Sequence, residues 1–225
     1  MNDPIVIDFE GFADARPLLA GVLVAGAADG GAHGEFRQFV FAEQDERMRV
    51  AAEAKNLAVT TLREFCIGLV DRARREKRAI VGFSTHEREE IAKALGGAWP
   101  DDVEYIDAKN LAKTWRRAVH PAEEARLKRV RKRKSAREEF GASQFGNRLV
   151  DLERLSGGAI PATYGDRRVT ARLRVMLEQL GRKREYALLS PGAKRGWSNL
   201  LAHNRFDCES AARMSKLSVS ARNAA

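Results

Sequence analysis

An α/β fold built on a mixed sheet is what this sequence predicts, and three observations predict it. Short β-branched segments separated by Gly-rich turns fill the first forty residues. The spacing of apolar residues then changes from two to three and four, and a long helix with an apolar stripe closes the chain.

The segment Ile5-Val6-Ile7-Asp8-Phe9-Glu10 is short, β-branched and bounded by Gly11. PLLAGVLVAGA (17–27) and EFRQFVFA (35–42) follow, set apart by turns at Asp29-Gly30-Gly31 and Gly34. Three such runs on short connections predict an N-terminal three-strand antiparallel meander, with which a purely parallel doubly wound sheet would not begin. Leu62, Phe65, Cys66, Leu69, Val70 and Ala73 recur at helical spacing, so 57–75 is expected to be a helix. Strands are predicted at 79–83 and 103–107, and helices at 87–95 and 111–118. From about 121 to 185 the chain is basic and mostly helical, punctuated by Gly141, Gly146 and Gly157-Gly158 with Pro161 in a loop. The last element, at about 191–219, carries Trp197, Leu200, Leu201, Ala211, Met214 and Leu217 on its apolar stripe. With neither repeats nor a low-complexity linker, 1–225 is expected to form a single domain with a basic helical insertion at about 121–185.

At 225 residues the chain is long enough for one well-cored domain. No apolar run reaches the roughly 18 residues of a membrane span, so no membrane partner is expected. Met1-Asn2-Asp3-Pro4 leads straight into a strand-like run without a signal-peptide pattern. Cys66 and Cys208 have no paired spacing and read as reduced thiols, which places the protein in the cytoplasm as an expectation. G-x-S-x-G, Walker, H-E-x-x-H and C-x-x-C motifs are all absent from the sequence. His33, His86 and His120 are isolated, and surface or capping roles are the reading for them.

The net charge of +9 is concentrated. Residues 126–137 (RLKRVRKRKSAR) hold eight Lys or Arg in twelve, with no acid, and Arg167, Arg168, Arg172, Arg174, Arg182, Lys183 and Arg184 form a second enrichment. Such clustering suits a polyanion, because neutralising phosphates releases condensed counterions; a solvated helix face is the alternative. Arg126, Lys128, Arg129, Arg131, Lys132, Arg133 and Lys134 are therefore the candidate nucleic-acid contacts.

Three pieces carry acids. Strand alternation puts Asp8 and Glu10 on one face of the first strand, opposite Ile5, Ile7 and Phe9. Two acids side by side in an apolar strand raise each other's pKa unless a cation compensates, and carboxylate oxygens are what Mg²⁺ and Mn²⁺ take. A solvent-facing edge strand is the alternative. In His203-Asn204-Arg205-Phe206-Asp207-Cys208, His203 and Asp207 lie four apart on the inward face of a helix, either as a site or as a packing pair. In Ser84-Thr85-His86-Glu87 the acid is either a capping-box residue or a third carboxylate delivered at a strand end.

Taken in this order, the pieces resemble the DEDD (DnaQ-like) exonucleases of the RNase H-like superfamily, and among them the stand-alone RNase H-like domains associated with RecB-type nucleases. Asp8 and Glu10 match the D-x-E motif, Glu87 stands in the place of the second-motif acid, and Asn204 and Asp207 match the third motif. Gly146-Asn147-Arg148-Leu149-Val150-Asp151-Leu152 looks like the small helix before that motif. His203 stands where Tyr is more usual, and the basic stretch at 121–146 and the Arg-rich segment after Gly158 are not general family features. The resemblance implies an RNase H-like mixed sheet with flanking helices and a C-terminal helix bearing the last catalytic Asp. It also implies two Mg²⁺ or Mn²⁺ ions about 3.5–4 Å apart, held by Asp8, Glu10, Glu87 and Asp207, with Asp8 bridging. His203 would orient or deprotonate the attacking water. Asn204 would contact the nucleic acid or position a carboxylate or water. The expected activity is 3′-5′ exonucleolytic hydrolysis of single-stranded DNA or RNA, with a helicase or another nuclease subunit as partner. A structure-directed endonuclease on the same scaffold, or a silent nucleic-acid-binding module, are the alternatives.

Overall fold

The computed structural model describes residues 3–12, 15–24, 34–135, 146–162, 164 and 169–223, with side chains left aside at 134–135 and 218–223. Among them the chain forms β1 (Ile5–Glu10), β2 (Leu19–Val24), β3 (Glu35–Phe41), α1 (Arg47–Glu53), β4 (Ala58–Thr60), α2 (Leu62–Glu76) and β5 (Ile80–Gly82). α3 (His86–Ala94), β6 (Tyr105–Asp107), α4 (Ala108–Val119), α5 (Pro121–Ser135), α6 (Leu149–Leu155), α7 (Val169–Lys183) and α8 (Pro191–Asn223) follow. The six strands make one mixed sheet in the order β4-β3-β2-β1-β5-β6. β1, β2 and β3 are the expected antiparallel meander, while β5 joins β1, β6 joins β5 and β4 joins β3 in parallel.

β1 lies inside the sheet, and its alternation divides the two faces. Ile5, Ile7 and Phe9 pack against Phe65, Cys66, Leu69 and Val70 of α2 and Ile91 of α3. On this side Phe65 meets Phe9, Phe39 and Phe41 at ring-centroid distances of 6.1, 5.1 and 5.3 Å, in the tilted and edge-to-face geometries that ring quadrupoles favour. On the opposite face Val6 joins Val81, Cys208, Ala211 and Ala212, and Leu19 and Val40 join Met48, Leu177, Leu180, Trp197 and Leu200. Each of these large side chains contributes about 1.5–3 kcal/mol on burial. Asp8 and Glu10 therefore point to the side covered by α8.

The local differences from expectation have identifiable causes. The helix expected over 57–75 starts at Leu62 because Ala58–Thr60 pairs with β3, and Thr61 then opens α2 with a capping box closed by Glu64. Helix α1 was not anticipated, although Met48, Ala51 and Ala52 bury one face at helical spacing. α4 begins earlier than expected, at Ala108, where the Asp107 carboxylate accepts the Asn110 N–H at 2.9 Å. Within the stretch expected as an insertion, α7 buries Leu173, Met176, Leu177 and Leu180 in the main core beside α8. α5 is anchored differently: buried Arg116 pairs with Glu124 at 2.7 Å and donates to Asn147 at 2.9 Å and to the Gly146 carbonyl. No helix among the described residues is long and apolar enough to cross a membrane.

Candidate metal centre

Three elements bring the four acids together. Asp8 and Glu10 lie along β1, Glu87 is in the first turn of α3 beyond the end of β5, and Asp207 is on α8, which crosses the sheet beneath β1. Asp8 sits opposite Gly21 on β2. That glycine has a steric reason: a Cβ there would overlap the carboxamide of Asn204. Asn204 fills the space left by Gly21 and donates from Nδ2 to Asp8 Oδ2 at 2.8 Å and to the Asp8 carbonyl at 3.0 Å. Its Oδ1 accepts from Gln38 Nε2 at 2.9 Å. Asn204 is 0% exposed, which corrects the expectation that it contacts nucleic acid: sealed under the sheet, it orients Asp8.

Glu87 is tied to the start of its own helix and also faces the other acids, though among the described residues the group of ligand atoms close enough together to hold an ion comprises Glu10, His203 and Asp207. Its Oε2 accepts from the Ser84 N–H and hydroxyl, each at 3.2 Å, which is half of a capping box, and Tyr105 approaches at 3.5 Å. The same buried carboxylate also lies close enough to Asp8, Glu10 and Asp207 to raise their pKa values. His203 Nε2 is 3.4 Å from Asp207 Oδ2. Ligand atoms of Glu10, His203 and Asp207 all lie within 4.8 Å of one another.

The electrostatics are those of a like-charged cluster out of water. Burial above all, then Asp207, Glu10 and Glu87, holds Asp8 well above the ordinary carboxylate range against the opposing Asn204 hydrogen bond. Burial, then Asp207 and Glu87, pushes Glu10 up to about 8. Asp207 rises to about 7 through burial, opposed by a Tyr164 hydrogen bond. Glu87 is raised by burial and held back by its capping hydrogen bonds. Among the described residues no Lys or Arg forms an ion pair with Asp8, Glu10 or Glu87. Carboxylates crowded out of water are costly unless a cation compensates, and Glu10, His203 and Asp207 are a group that could hold a metal ion.

No family model, curated protein or solved structure matches this chain.

Two residues near the cluster were not anticipated. Tyr164, between α6 and α7, donates its hydroxyl to Asp207 Oδ1 and stacks on His203. It lies in a loop, where periodicity offers no signal. His86 is exposed, as its surface reading expects, and also lines an open pocket of about 240 Å³ together with Glu10, Phe9, Phe12 and Pro17. Its one sequence signal was adjacency to Glu87.

The basic candidates divide by environment. Lys128, Arg129, Lys132 and Arg133 are exposed on the outer surface of α5. Arg126 is paired with Glu123 at 2.6 Å, and Arg131 donates to Asn147 at 2.9 Å, so both also serve local structure. The side chain of Lys134, together with Arg137, Arg167 and Arg168, lies outside the described residues.

Proposed function

We propose that this chain is a divalent-metal-dependent nuclease on an RNase H-like scaffold, acting as a 3′-5′ exonuclease on single-stranded DNA or RNA. The observation that carries the reading is the convergence of Asp8, Glu10, Glu87 and Asp207 from three separate elements into one desolvated cluster. Supporting it are a meander followed by parallel strands on the far side of β1, and a terminal helix delivering the last acid across the sheet. The 3′-5′ polarity rests on the family resemblance alone.

Asp8, Glu10, Glu87 and Asp207 would hold the ions. Divalent cations held there would polarise the scissile phosphate and stabilise the attacking and leaving oxygens. The chain's own residues do the rest. Asn204 keeps the Asp8 carboxylate turned into the site, and Ser84 and the α3 N-terminus restrain Glu87. His203, whose Nε2 lies 3.4 Å from Asp207 Oδ2, would orient a water and accept its proton at that nitrogen. The exposed cations of α5 would hold a strand by its phosphates, giving affinity without base preference.

The test uses 5′-labelled single-stranded DNA and RNA of matched sequence with Mn²⁺, Mg²⁺ or EDTA, and Asp8→Ala alongside. Laddering from the 3′ end that needs metal and is lost in Asp8→Ala is the expected result. Intact substrate in every lane, with a salt-sensitive gel shift, would leave a binding module and overturn the nuclease reading.

A further inference from the structure

Asp207 reaches the cluster from a helix that supplies its immediate neighbours His203 and Phe206, yet the group that binds its carboxylate comes from elsewhere in the chain. Tyr164 donates its hydroxyl to Asp207 Oδ1. Its ring stacks on His203 with centroids 4.3 Å apart and planes 25° from parallel, and leans on Phe206 at 4.3 Å and 59°. The ring is thus held on two sides, and its hydroxyl is spent on a carboxylate of the acid cluster.

From this geometry we infer that Tyr164 is a positioning residue for the metal centre, fixing Asp207 and the plane of His203 together. The inference rests on the nuclease reading above. A carboxylate rotates broadly about its last torsion, and only outside partners select one orientation. With Oδ1 committed to Tyr164, Oδ2 is the oxygen that lies 3.4 Å from His203 Nε2. The stack limits rotation of the imidazole, so the same ring sets where Nε2 lies relative to Asp207. A tyrosine serving packing alone would need its ring and not a hydroxyl aimed at a ligand carboxylate. Partners that hydrogen-bond a metal ligand typically govern affinity by about 10–100-fold.

The experiment compares wild type, Tyr164→Phe and Phe206→Leu, with Asp8→Ala as the site control. Mn²⁺ affinity is measured by calorimetry, cleavage is resolved into kcat and KM, and thermal midpoints are recorded. Tyr164→Phe keeps the ring contacts and loses the hydroxyl. It is expected to weaken Mn²⁺ binding by about tenfold or more and to lower kcat similarly, with KM for the strand nearly unchanged. Phe206→Leu loosens the same ring but keeps the hydroxyl, and is expected to lower the midpoint while weakening Mn²⁺ binding less than Tyr164→Phe does. Tyr164→Phe with wild-type Mn²⁺ affinity and kcat would overturn the positioning role and leave the nuclease reading standing. Wild type that binds no Mn²⁺ sensitive to Asp8→Ala would overturn both.

Discussion

Glu10→Gln should stabilise the metal-free protein and disable the metal-bound one. Between the ordinary 4.5 and about 8, the folded chain holds a proton on Glu10 that the unfolded chain releases. The native state then binds more protons, so stability falls as pH rises through that window and is unimpaired below it. At about 1.4 kcal/mol per pH unit, the ceiling on the penalty at pH 8.5 is about 5 kcal/mol. Titration is shared with Asp207 and Glu87, so a realistic gain for the glutamine is about 2–5 kcal/mol. For a chain of this size that corresponds to a rise of roughly 5–15 °C in thermal midpoint. Melting in EDTA at pH 8.5 should show this rise, and at pH 5 it should nearly vanish. Adding Mn²⁺ at pH 8.5 should reverse the order, because wild type gains ligand-linked stability that the variant cannot match. A midpoint that falls in EDTA at pH 8.5, or rises equally at both pH values, would refute the reasoning.

Three further outcomes follow from particular contacts. Gly21→Ala should drive the Asn204 carboxamide off Asp8, costing about 1–3 kcal/mol in urea denaturation and weakening Mn²⁺ binding; unchanged affinity would show that Asn204 does not orient Asp8. Arg116→Met should leave buried Glu124 with only the longer 3.9 Å pair to Arg131 and destabilise by about 3 kcal/mol, read as a lower denaturation midpoint; a wild-type midpoint would mean the Arg116 pair is dispensable. Reversing Lys128, Arg129, Lys132 and Arg133 to Glu should reduce the slope of log affinity against log salt for single-stranded DNA by about 3, with stability nearly unchanged; an unaltered slope would place the strand elsewhere.

Much of the sheet was legible before any coordinates, because strand alternation and helical spacing are local rules. The period of two over Ile5–Glu10 separated Ile5, Ile7 and Phe9 from Asp8 and Glu10, and the structure puts those sets on opposite faces. The meander, α3 and the long terminal helix were legible for the same reason. α1 and the start of α2 were not, since β4 is three residues long and exists only by pairing with β3. Nor was the place of α7, whose apolar stripe gives no indication of which partner it will bury against.

At the site, the sequence determined which acids were available and which of them shared a strand face or a helix face. Only the tertiary structure decided that Glu87 is cap and cluster member at once, that Asn204 is sealed beneath β2 at Gly21, and that Tyr164 reaches Asp207 from a distant connection. The physical reason is range. Backbone periodicity extends over a few residues, whereas desolvation and charge crowding arise only when segments far apart in the chain fold against one another.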